Sequence, residues 1–166
     1  MIRLRSLWLS FAVLTTTGFA QQNVGISFVN VLSPSLAGFC GFDCNDAGNT
    51  GRTSIAVGSS LGIRLHGQIS MPGVVLLGLG PAHLTCPGLT FAGIHNGMMI
   101  FPADLIVALS TPILGSPIPG CRASGGALAV MVTVPAAAAG TVLTAQGLAF
   151  DRNTMTFTRP VDIAIR

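Results

Sequence analysis

The chain contains no Lys, no Glu and no Tyr; its eight basic residues are all Arg and its five acidic residues all Asp. Only 8 % of its 166 residues carry charge, against about 25 % in an average domain. Without Glu and Lys there is no material for a coiled coil or a long charged helix. Half the residues are hydrophobic, which excludes intrinsic disorder, a state that needs low hydrophobicity and high net charge. The single Trp, Trp8, lies within the first twenty residues, and the rest of the chain has seven Phe as its only aromatics. Stacking platforms for sugars and bases favour Trp and Tyr, whose rings bring a polar tip to a half-wet site. Single-stranded nucleic acids also require a basic groove. Six dispersed Arg beyond residue 20 form no such groove, so no nucleic-acid partner is expected.

Uninterrupted apolar helices are missing too. Leu65–Ala103 and Ala123–Phe150 lack any charge, but Pro72, Pro81, Pro87, Pro135 and several Gly break them. No window of 18 apolar residues survives, so no transmembrane span is expected after residue 20. Residues 1–20 read instead as a cleaved secretory leader: Arg3 and Arg5 open it, Leu7–Leu14 form a short apolar core, and Gly18-Phe19-Ala20 is a small-x-small cleavage site. Cleavage leaves Gln21–Arg166, with six Arg against five Asp and a formal charge of +1. The expected location is the periplasm, the cell surface or the medium.

What is present is a succession of short strand patterns. Leu61, Ile63, Leu65 and Ile69 alternate with Arg64, His66 and Gln68, the mark of a strand with one buried and one wet face. Val161, Ile163 and Ile165 alternate with Asp162, Ala164 and Arg166 in the same way. Apolar runs at Val24–Leu32, Val74–Leu79, Leu105–Leu109, Leu128–Val134 and Thr141–Phe150 add further strands, and Leu128–Val134, apolar on both faces, reads as a central one. Asn96-Gly97 and Asp151-Arg152-Asn153 predict hairpins. Ala136–Ala139, held between Pro135 and Gly140, allows a single helical turn. The pattern predicts one all-β domain over residues 21–166, an antiparallel β-sandwich, jelly-roll-like or similar, of about eight or nine short strands.

Four cysteines follow the leader: Cys40, Cys44, Cys86 and Cys121. An even number in an exported chain reads as two disulfides. Three pairings are possible; the short Gly-containing spacer favours Cys40–Cys44, with Cys86–Cys121. A zinc site is disfavoured, because Cys86 and Cys121 lack the tight Cys knuckles of zinc ribbons.

From Gly58 onward the chain resembles a group of uncharacterised secreted bacterial β-domains, low in charge and rich in Gly, Pro, Leu and Ala. The matching stretches are Gly58-Ser59-Ser60-Leu61-Gly62 with the Ile63–Gly67 strand, Val74–Gly80, Pro119-Gly120-Cys121, and Gly140–Gln146 with Ala149-Phe150-Asp151. The resemblance implies an exported sandwich-like domain and no particular activity.

No motif supports a catalytic, cofactor or metal site. Gly58–Gly62 fits the G-x-S-x-G nucleophile elbow, but a strand pattern rather than a helix follows it, and the Ser-acid-His order is not available. Asp43, Asn45, Asp46 and Asn49 offer oxygens for calcium, yet Ala47 and Ser54 stand where an EF-hand needs ligands. His66, His83 and His95 show no metal-binding spacing and are expected at the surface. The expected function is therefore non-catalytic: an exported structural or interaction domain whose partners are copies of itself or surface-matrix components. The alternatives are a β-barrel for an apolar small ligand and, more remotely, a cryptic hydrolase built on Ser60.

Overall fold

The structure is a computed structural model that describes residues 24–30, 38–40, 50–84, 88–113 and 125–166. Thirteen strands lie among them: β1 (Gly25–Val29), β2 (Gly38–Cys40), β3 (Gly51–Ile55), β4 (Ser60–Gly67), β5 (Pro72–Leu79), β6 (Leu89–Thr90), β7 (Ile94–His95), β8 (Gly97–Met98), β9 (Leu105–Pro112), β10 (Gly125–Thr133), β11 (Val142–Asp151), β12 (Thr154–Phe157) and β13 (Val161–Ile165). Eight have five residues or more, and seven of those fall on the runs that the apolar pattern marks. The exception is β3, Gly-Arg-Thr-Ser-Ile, too polar to register as a strand until it is paired.

Two sheets face each other. The first has the order β10-β4-β1-β2 and is antiparallel throughout. The second is built around β11, which pairs with β5 along one edge, and β5 pairs in turn with β9. The other edge of β11 is shared: β13 takes its first half and β12 its second. β3 and β7 then add in parallel to β13 and β12. The fold is the β-sandwich expected, with these two parallel pairings added to otherwise antiparallel sheets. Neither sheet closes on itself among the described residues, so the barrel alternative is not the architecture.

The core lies between the sheets. Ile26, Phe28, Leu61, Ile63 and Leu65 come from the first; Val75, Leu77, Ala145, Val161, Ile163 and Ile165 come from the second. Glycines let the sheets approach. A Cβ added at Gly73 or Gly147 would overlap the Leu65 side chain, so Leu65 packs directly on the backbones of β5 and β11. The outer face of the second sheet carries a further layer, in which Met98 and Ile100 pack on Leu76 and Phe157. This layer contains the small β6–β8 pair.

Local turn chemistry is confirmed at one hairpin and corrected at the other. Arg152 and Asn153, at φ of 47° and 69°, join β11 to β12 in a two-residue turn. Asn96 also has positive φ, at 58°. It does not close a hairpin, however, since β7 pairs with β12 and β8 with β6. Residues Ala136–Ala138 form one 3-10 turn, as the flanking Pro and Gly require. Leu128–Val134 is not central: β10 is an edge strand, with Met131 and Val132 51 % and 45 % exposed.

Candidate functional site

The chemistry-bearing side chains are few, and the strands disperse most of them. Ser60, the serine of the elbow-like motif, opens β4 opposite Thr133 and is an ordinary strand residue. The positive φ of Gly58, 77°, belongs to the turn that feeds this strand, as a Gly/Ser turn requires. His83 and Asp104 approach to 3.8 Å on the surface. His95 is exposed, and its carbonyl accepts a hydrogen bond from Thr156 Oγ1. Among the described residues no three His, Cys, Asp or Glu gather closely enough to hold a metal ion. The oxygen-rich stretch from Asp43 to Asn49 lies outside the described residues. Cys44, Cys86 and Cys121 lie outside them as well. Cys40, at the end of β2, is disulfide-bonded.

His66 is the correction. The alternation of β4 puts it opposite the core-facing Leu65, on a face expected to be wet, yet it is fully buried. Its direct neighbours across the sheet are Gly25 on β1 and Gly126 on β10. Neither glycine has a side chain, so the imidazole has room to lie against the sheet. Nε2 sits 2.7 Å from Ser27 Oγ, and Ser27 is itself buried. Nδ1 has no hydrogen-bond partner. Burial, and secondarily the Arg64 guanidinium two residues along the strand, lower the pKa of His66 from 6.5 to about 4. At neutral pH the ring is therefore uncharged.

Such a pair has the elements of a Ser-His nucleophile and base, but catalysis asks for more. A general base must meet a proton on a bound substrate, and a triad-type histidine is oriented by a third group on its other nitrogen. Here both side chains are enclosed and Nδ1 holds no orienting group. What the arrangement does is hold two strands of a low-charge sheet together through a neutral polar contact.

A second buried polar cluster centres on Gln146 of β11. Its Nε2 donates to Gly97 O and Thr158 O, both at 3.0 Å, and its Oε1 accepts from Met99 N at 2.8 Å. Thr158 returns two bonds to Gly147, one through its backbone N–H and one through Oγ1. The cluster spans the gap where β12 ends and β13 begins. Asp162 has a comparable role at the other end of β11, accepting from Ala82 N and Thr144 Oγ1. Ser27, Gln146 and Thr158 are the residues that sequence reasoning passes over. The one available signal is a lone Gln in the apolar run Val142–Phe150.

No family model, curated protein or solved structure matches the chain.

Proposed function

We propose that this protein is an exported, non-catalytic structural or interaction domain that acts through its surface. The observation that carries this reading is the apolar, uncharged flank of the sandwich. β9 and β10 end the two sheets, neither contains a charged residue, and Ile106, Met131 and Val132 on them are about half exposed. Contact surfaces are where exposed apolar groups accumulate. Leu79, Phe91 and Phe101 extend the exposed apolar set beyond these two strands. The leader-like residues 1–20 and the even number of cysteines support export, and the disulfide at Cys40 is consistent with it.

The rival reading, a hydrolase, would rest on Ser27 and His66 or on Ser60. The first two are enclosed without an orienting acid, and the third begins a strand. The interaction reading is tested by measuring whether the processed protein, purified from an exporting host, binds to itself or to isolated surface-matrix material of that host. Binding to either is the expected result, and binding to neither overturns the proposal.

A further inference from the structure

We propose that β9 is a self-pairing edge, through which two copies of this chain join their second sheets in a two-fold antiparallel strand contact. The inference rests on the interaction reading above and names its partner.

The direction of each backbone group on β9 follows from the ladder phase. In an antiparallel pair, residues that exchange hydrogen bonds alternate with residues whose N–H and C=O point the other way. Gly80 N donates to Val142 O at 2.8 Å, which phases Gly78, Leu76 and Val74 toward β11. Leu77, Val75 and Gly73 then turn to β9, bonding Val107, Leu109 and Thr111. The bond from Ile113 N to Met71 O, 3.0 Å, gives the same phase from the opposite end. Ala108 and Ser110 are left directing both backbone groups away from β5, and among the described residues no strand pairs with that edge.

Exposed edges are normally blunted by charge, proline, brevity or a bulge. The other edges of this fold show these devices. β2 has three residues and β7 two, β3 carries the exposed Arg52, and β10 is bulged in its middle between Leu128 and Val130. On β9 the irregularity comes at the start, around Ile106, and the proline at the end, Pro112. The stretch between them is regular, uncharged and, among the described residues, not paired with another strand beyond β5.

That stretch is complementary to itself. With the two-fold axis at Leu109, Ala108 of each copy lies opposite Ser110 of the other, and both residues point their backbone groups outward. Each of these two pairs exchanges two N–H···O bonds. Ile106, 54 % exposed, then comes opposite Pro112 of the second copy and loses apolar surface to it. Pro112 has no N–H to extend the ladder, and the bulge stops it at the other end. Because each copy uses the one regular edge left unpaired among its described strands, the contact closes as a dimer and does not propagate.

The test uses sedimentation of the processed protein over a range of concentrations, with two double variants of exposed residues. Ala108→Lys with Ser110→Lys sets like charges opposite each other twice. Ala108→Lys with Ser110→Asp sets opposite charges in the same places. The wild type should form dimers, the Lys/Lys variant should self-associate about tenfold more weakly or worse, and the Lys/Asp variant should recover. Ser110→Pro, which deletes an outward N–H and leaves the β5 ladder intact, should also weaken the dimer. Wild-type dimerisation that the Lys/Lys change leaves untouched overturns the β9 assignment while the interaction reading stands. So does a monomeric wild type that still binds matrix material. A monomer that binds neither removes both.

Discussion

His66 shows how one residue departs from its pattern. A strand that alternates Ile63, Arg64, Leu65, His66 is expected to expose the histidine, but glycines at both cross-strand positions create a slot that holds it. The consequence is a pH dependence whose sign is fixed. The folded-state pKa, about 4, lies below the ordinary 6.5. Between those values the unfolded chain binds the extra proton, so this residue's contribution to stability is fully present above pH 6.5 and is lost as pH falls toward 4. The loss attributable to it should not exceed about 3 kcal/mol. Urea unfolding at pH 7, 5.5 and 4 measures it. The wild type should lose stability more steeply across this range than His66→Gln, and parallel profiles for the two would refute the assignment.

At the scale of elements, the weak point of a forked sheet is its fork. β11 must serve β13 along one half and β12 along the other, and the chain between them leaves the ladder at Thr158–Pro160. Backbone groups stranded in such a gap are costly when buried. Gln146 meets one of them, Thr158 O, and with the rest of its side chain fastens the outer layer to the sheet at Gly97 O and Met99 N. Gln146→Leu keeps similar bulk but leaves Met99 N, Gly97 O and Thr158 O without that partner. A buried group that loses its partner costs about 1–3 kcal/mol; for Gly97 O and Thr158 O alone, the variant should lose at least about 2 kcal/mol in chemical denaturation. A loss below 1 kcal/mol, on the order of one ordinary hydrogen bond, would show that the fork does not depend on this side chain.

For the molecule as a whole, stability has to come from the core and from cross-links, because no Lys or Glu is available for ion-pair networks. The contact of His83 with Asp104, at 3.8 Å, is surface-exposed and contributes little. The processed protein is therefore expected to contain two disulfides and no free thiol, with Cys40–Cys44 and Cys86–Cys121 the proposed pairing. Reduction should cost about 2–5 kcal/mol. Thiol titration of the unfolded, unreduced protein checks the first point; four reactive thiols would overturn both the pairing and the argument for export.

Period and composition by themselves determined the class of this fold. A strand buried on one face must alternate, and a chain punctuated by Pro and Gly cannot build long helices, so β4, β5, β9, β11 and β13 were legible before any pairing was known. The hairpin at Arg152-Asn153 was legible for the same reason, since positive φ at adjacent positions is a local preference. Tertiary structure alone decided what depends on neighbours. Whether an apolar strand is central or marginal is not a property of its residues: β10 has the composition of a core strand and the position of an edge. Whether Asn96 turns a hairpin depends on which strands flank it, and whether His66 is wet depends on two glycines at positions 25 and 126. The outward direction of the Ala108 and Ser110 backbone groups on β9 is likewise a fact of ladder phase, fixed by a hydrogen bond at Gly80 on the far side of β5.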